Sequence, residues 1–375
     1  MPKPLNRQAA RSTALHGKDR ASHLKKAAIT RRGAVSAAAS ATLAAAGLVG
    51  CSGNSQNPAY TDAQHAGSNK SVSGSTFAFD TYCTFTVWGD DAALSKLSAE
   101  CSRYDELFDL YDPSSDIARI NAAQGAATVV DPDTARLVAL ALDYCAQADG
   151  LFDITIGAVS TLWDFETGIR PNDDDVADAL QHVNWRGVEV DEESSTVRLL
   201  DPQAKLDLGG IAKGYIADRL CEVLASKTKA TAAAISLGGN IAFFGTKPDG
   251  SAWNTGIRDP NDPGGSTVVG TAHVHGGSLV TSGLYERTFE MDGATYWHIL
   301  DPRTGMPVQT DTASVTVTCP SSTTADALST TLFVAGSKNG SALADTYQDT
   351  AAYFIKLDGG SAESSRWQEL TDFES

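Results

Sequence analysis

The chain has 375 residues, enough for one large domain or two smaller ones, and its 42% hydrophobic and 20% charged content is that of a globular protein. Nine Lys/Arg and one acid fall within residues 1–50, so the remaining chain holds 20 basic and 45 acidic residues, a net of −25 with His neutral. Such an acidic body repels nucleic acid, which excludes DNA and RNA as partners. An anionic ligand there needs local positive charge, a cation or aligned N–H groups.

The N-terminus reads as an address. Basic residues run up to Arg31-Arg32, an Ala-rich apolar segment follows, and Leu48-Val49-Gly50-Cys51 closes it. This is the order of a secretory signal over residues 1–50. The paired arginines resemble a twin-arginine signal and the last four residues a bacterial lipobox, with Cys51 as the lipidated residue. The expected location is therefore extracytoplasmic, held at the cell membrane by a lipid anchor. Residues 51–76, rich in Ser, Gly, Asn and Ala, read as a flexible, disordered tether. Cys83, Cys101, Cys145, Cys221 and Cys319 show no CxxC spacing, and an odd count cannot all pair internally.

From residue 77 the pattern changes. Phe77 to Trp88 is strand-like, and Leu94, Leu97, Cys101, Tyr104 and Phe108 recur at helical spacing. Asp131-Pro132 opens a second helix that stops near Gly150. Val188–Val190 and Thr196–Leu200 predict a small hairpin, Ile211 to Leu224 a helix, and Ala234 to Phe244 a strand-type run. Strands dominate 253–319, with a hairpin turn at Asp292-Gly293; a helix over 323–334 and a strand from Ala351 to Leu357 follow. Strand and helix do not alternate regularly, so the spacing predicts one α+β domain over 77–375, with mixed or antiparallel sheets and packed helices.

The Gly-rich phosphate loops GxGxxG and GxxxxGK[ST] are missing, as are HExxH and GxSxG. Three constellations remain. In Leu206-Asp207-Leu208-Gly209-Gly210-Ile211-Ala212-Lys213, adjacent glycines precede a helix start that favours anions; a plain loop-to-helix junction with a solvated lysine is the alternative. Asp326 and Thr330, four apart, share a helix face. One carboxylate with hydroxyl and phosphate oxygens suits Mg²⁺, although an acid in a first turn also stabilises a helix with no metal at all. Finally, Thr281 to Arg287 precedes His298-Ile299-Leu300-Asp301-Pro302-Arg303-Thr304-Gly305, a strand-end histidine before a turn.

Read in order, these segments resemble the ApbE family, the FAD:protein FMN transferases. The resemblance also runs through Asp80-Thr81-Tyr82, Leu110 to Asn121, Asp149 to Gly157, Leu162-Trp163-Asp164-Phe165 and Ile235 to Asn240, and covers about residues 77–357. It implies an enzyme that moves FMN from FAD onto a Ser or Thr hydroxyl of a partner flavoprotein, forming a phosphoester and releasing AMP. It implies Mg²⁺ held by Gly210, Asp326 and Thr330. FAD would be contacted by Phe79, Leu110, Tyr111, Leu151, Phe152, Asp153, Asp207, Lys213 and His298. His298 is the candidate catalytic base, with Asp301 as substitute. Family acceptors carry a Ser/Thr-Gly-Ala-Thr-like motif; Gly293-Ala294-Thr295 in this chain follows Asp292 and reads as a hairpin turn. The rival readings are a Mg²⁺-dependent FAD pyrophosphatase and an extracytoplasmic FAD-binding lipoprotein.

Overall fold

The computed structural model describes residues 70–375 apart from 263 and 265, so the expected signal, Cys51 and the tether as far as residue 69 lie outside the described residues. Regular pairing begins before Phe77. Strands β1 (Ser71–Ala78) and β2 (Thr81–Trp88) form an antiparallel hairpin. The last residues of the stretch that reads as tether, 71–76, thus belong to the first strand of the domain. Its serines occupy the exposed positions, while Val72, Gly74 and Thr76 are half-buried and Ala78 is buried. The two-residue turn between the strands places Phe79 and Asp80 at φ 57° and 55°, the left-handed conformation that tight hairpins demand.

Helix α1 (Ala93–Phe108) buries Leu97, Cys101 and Tyr104, the stripe its periodicity predicts. Then come α2 (Asp116–Ala122), β3 (Thr128–Val129) and α3 (Pro132–Gln147), whose cap Asp131 accepts the Asp133 N–H. Short helices α4 (Gly157–Ser160) and α5 (Asp173–Leu180) lead to the β4 (Val188–Asp191) and β5 (Thr196–Leu199) hairpin. Helix α6 (Ala212–Lys227) precedes β6 (Ala232–Leu237) and β7 (Asn240–Gly245). The strand-type run over 234–244 is therefore a hairpin folded at Gly238-Gly239. Next are β8 (Trp253–Arg258), β9 (Val268–Val274), β10 (Gly277–Gly283), and β11 (Thr288–Met291) paired with β12 (Ala294–Trp297) across Asp292-Gly293, as its turn chemistry predicts. Strand β13 (Thr312–Cys319), helix α7 (Ser322–Ala344), β14 (Ala351–Lys356), β15 (Ser361–Glu363) and α8 (Trp367–Thr371) complete the chain. Helix α7 outruns its expected end near residue 334 because Gly336, at φ 78°, breaks it, and Asp311 then accepts the Ser337 N–H at 2.8 Å to restart it.

Eight strands form one sheet in the order β1-β2-β6-β7-β10-β13-β14-β15, and each neighbouring pair is antiparallel. Alternation along each strand sends side chains to two faces. On one face Phe85, Val87 and Ile235 pack with Leu97, Leu137 and Ile216, while Val315, Val317 and Phe354 pack with Leu328, Leu332 and Phe333 of α7. On the other, Leu279 and Ile355 join Trp253 and Trp367. Fully burying each such side chain contributes roughly 1.5–3 kcal/mol. The result is a single α+β domain of antiparallel sheets and packed helices. The described cysteines are unpaired, and all but the half-buried Cys221 are buried.

Candidate functional site

Segments far apart in sequence meet at one cavity of about 380 Å³ between the helical layer and the sheet. The strained turn supplies Phe79 and Asp80. Asp105 of α1 anchors that turn by accepting the Phe79 N–H at 2.7 Å, so the backbone strain is held by a specific partner. Leu110 and Tyr111 follow α1, where Asp109 accepts the Tyr111 N–H at 2.7 Å. Leu151, Phe152 and Asp153 follow α3. Asp153 is committed to shaping this loop, since it accepts from Thr155 N–H and Oγ1 at 2.8 and 2.6 Å and from Trp185 N–H at 3.1 Å. Phe165 also lines the cavity, stacked on Trp163 at 5.5 Å.

The Gly-rich segment enters from below. Asp207 accepts from Ser160 Oγ at 2.7 Å and from Gly209 N–H at 2.9 Å, which fixes the loop ahead of α6. Lys213, in the first turn of α6, lines the cavity, with Nζ 3.4 Å from the Gly209 carbonyl. A Cβ placed on Gly210 would lie 3.0 Å from the Phe152 ring and 3.1 Å from Thr330 Oγ1, so these three residues are immediate neighbours. Asp326 is buried, and its Oδ2 accepts the Gly214 N–H at 2.8 Å.

The charges are arranged around this floor. Burial pushes the Asp326 carboxyl above its ordinary value, opposed by the charge of Lys213 and the Gly214 N–H. Enclosure does the same to Glu286, which opens to the cavity space, with Lys213 and Arg287 pulling the other way. Burial, then the charges of Arg287 and Lys213, hold the His298 imidazole down to about 3, so it is neutral across the physiological range. Its Nδ1 is buried without a hydrogen-bond partner. At the mouth, the Arg287 guanidinium lies 3.7 Å from the Asp80 carboxylate, both side chains being exposed.

Twelve of the residues singled out from the sequence line this cavity together: Phe79, Leu110, Tyr111, Leu151, Phe152, Asp153, Asp207, Gly210, Lys213, His298, Asp326 and Thr330. Asp301 stands apart from the lining. Its carboxylate grips Arg303 at 2.7 and 2.9 Å, and although burial pushes its carboxyl up, these hydrogen bonds outweigh it and keep it low. Asp301 shapes the turn. Sequence reasoning passed over Asp80, Asp105, Glu286 and Arg287 as site residues. Glu286 and Arg287 sit within a stretch that stood out, but nothing local tells which of its side chains face inward.

The expectation of Mg²⁺ at Gly210, Asp326 and Thr330 is corrected. Among the described residues there is no group of three or more His, Cys, Asp or Glu side chains able to hold a metal ion. The three positions do meet, but they bring one carboxylate, and that carboxylate is already engaged by Gly214. Among the described residues no helix is long and apolar enough to cross a membrane.

Residues 79–354 match the model of the ApbE family. A protein of Treponema pallidum (strain Nichols) named FAD:protein FMN transferase is 36% identical over 280 residues, covering 70% of this chain and 77% of that one. One of Klebsiella pneumoniae (strain 342) with the same name is 34% identical, covering 71% and 83%. The crystal structure of the ApbE protein of Thermotoga maritima superimposes with a TM-score of 0.73 at 28% identity, over 80% of this chain and 99% of the other. The Pseudomonas stutzeri flavinyl transferase ApbE, in its apo form, gives 0.70 at 27%, over 80% and 96%. The family match across most of the described domain and these relatives together make the chain a member of the ApbE family.

Proposed function

We propose that this protein is an FAD:protein FMN transferase, moving FMN from FAD to a Ser or Thr hydroxyl of an acceptor flavoprotein with release of AMP. The observation that carries the reading is the composition of the cavity. Phe79, Leu110, Tyr111, Leu151 and Phe152 offer apolar and aromatic surface to a flat ring system, and Lys213 and Arg287 offer positive charge to a pyrophosphate in the same space. In a chain this acidic, and at a cavity that is itself lined by carboxylates, Lys213 and Arg287 are the side chains that can meet an anion with positive charge.

The reaction asks mainly for positioning and charge neutralisation. The acceptor oxygen forms a bond to the phosphorus that carries riboflavin, and the bond from that phosphorus to the bridging oxygen breaks, so AMP leaves. Lys213 and Arg287 stabilise charge on the pyrophosphate and on the departing oxygen. We assign the hydroxyl proton to His298, whose imidazole is neutral and open to it. Burial first, and then the two cations, depress its basicity, and a bound pyrophosphate offsets the second of these. The acceptor is expected to present a Ser/Thr-Gly-Ala-Thr-like segment. Export through residues 1–50 and acylation of Cys51 belong to the same proposal and rest on the sequence order of that region. A mass for the mature protein lacking an acyl group on Cys51 would overturn them.

The direct test incubates the purified protein with FAD and an acceptor peptide. Transfer yields peptide carrying FMN as a phosphoester, with AMP in equal amount. FMN and AMP without adduct would mean that water takes the place of the acceptor, and intact FAD would mean binding alone; either outcome refutes the transferase reading.

A further inference from the structure

We infer that Asp218 is a positioning residue: it fixes the first turn of α7 on α6 and thereby sets where Asp326 and Thr330 stand in the cavity. Asp218 does not line the cavity itself. Its carboxylate accepts four hydrogen bonds from the start of α7. They come from Ser321 Oγ at 2.8 Å, Ser322 N–H at 2.9 Å, Thr323 N–H at 2.9 Å and Thr323 Oγ1 at 2.7 Å.

The first N–H groups of a helix have no partners within it. Ser322 and Thr323 are buried, so water does not serve those groups, and a side chain from the neighbouring helix does. One turn earlier on α6, Gly214 makes the second attachment. Its N–H donates to Asp326 Oδ2 at 2.8 Å. A Cβ there would fall 2.2 Å from the Ser322 carbonyl oxygen and 2.6 Å from Asp326 Cβ, so the two helices touch through backbone. Helix α6 therefore grips α7 at its cap and again at the carboxylate that faces the site. Thr330 follows Asp326 by four residues and moves with it. With the cap loosened, Asp326 would keep one attachment and lose its register against Lys213, the neighbouring charge that most strongly acts on it.

The inference rests on the transferase reading for what the cavity does. The test compares Asp218→Asn with Asp345→Asn in the full chain. Asp345, at the far end of α7, accepts from Ser365 N–H and Oγ at 2.9 and 2.8 Å and is remote from the cavity lining. Both variants are assayed below their melting temperatures for adduct formation and for FAD affinity by flavin fluorescence. Asp218→Asn is expected to lower kcat about ten- to a hundredfold, the scale of an ångström-sized misplacement, and to weaken FAD binding, with KM for the acceptor unchanged. Asp345→Asn is expected to lower Tm alone. Thr323→Val, which removes one of the four donors, is expected to fall between and serves if Asp218→Asn does not fold. Wild-type kcat and FAD affinity in the folded Asp218 or Thr323 variant would overturn the inference. If the wild-type chain itself forms no adduct, the transferase reading fails, and positioning is then decided by FAD affinity alone.

Discussion

The cavity has a floor and a rim of opposite construction. At the floor, α6 and α7 meet through Gly214 with no room for a side chain, and Asp326 is buried with a hydrogen bond to backbone. At the rim, Asp80 and Arg287 face each other 3.7 Å apart, more than half exposed, on a turn and a loop. Close packing transmits any added atom to its neighbours, whereas an exposed ion pair is solvated in either state. Floor substitutions should therefore change stability and chemistry together. Rim substitutions should change ligand affinity and leave the fold alone.

The largest effect is expected for Gly214→Ala. The new methyl meets carbonyl oxygen and helix backbone rather than a flexible side chain, so destabilisation of about 3 kcal/mol, the upper end of overpacking, is expected. Chemical denaturation and adduct formation should both report it. A stable, fully active Gly214→Ala protein would show that the floor is looser than its geometry. His298→Gln comes next, with a loss of kcat of about 10²–10⁴-fold if the imidazole accepts the proton.

The same substitution has a pH signature. His298 is held to about 3 in the folded protein, below the roughly 6.5 of an unfolded chain. As pH falls below about 6.5 the unfolded state takes up the proton first, so stability is lost progressively toward pH 3, at up to about 1.4 kcal/mol per pH unit. His298→Gln removes that loss. Its unfolding free energy should fall less between pH 7 and pH 4.5 than that of the wild type, by about 2 kcal/mol. An equal fall in both proteins would show that His298 is not buried neutral.

What the sequence made legible follows the same division. Floor residues lie in segments with a local signature: adjacent glycines before a helix, Asp326 and Thr330 four apart, and a histidine at a strand end. The rim had none. Ser71–Thr76 has the composition of a linker, and its turn carries Phe-Asp where Asn-Gly would announce a hairpin, so β1 and the strained turn stayed hidden. Asp218 was equally silent, because its role depends on which helix packs beside it. Sheet order, set by pairings such as β2 with β6 and β10 with β13, is non-local in the same way. For Mg²⁺, the spacing of Asp326 and Thr330 could not show that Asp326 is the single carboxylate there and already accepts the Gly214 N–H.

At the rim, Arg287→Ala should leave stability within about 0.5 kcal/mol, as expected for an exposed pair, and weaken FAD binding about tenfold by removing a phosphate-facing charge. A large drop in Tm would place Arg287 with the floor instead.

The smallest effect is expected for Asp80→Asn, and its sign is the informative part. Asp80 and an anionic ligand compete for one guanidinium, so removing the carboxylate charge frees Arg287 and lifts a repulsion from the mouth at the same time. Asparagine tolerates the left-handed turn as readily as aspartate, so the φ of 55° is kept and the hairpin stays intact. FAD affinity should rise about twofold at low ionic strength, and the gain should fade as salt screens the exposed charges. A twofold loss would mean that Asp80 orients Arg287 toward the ligand rather than competing with it. The rim would then be a positioned part of the site, built on the same principle as the floor.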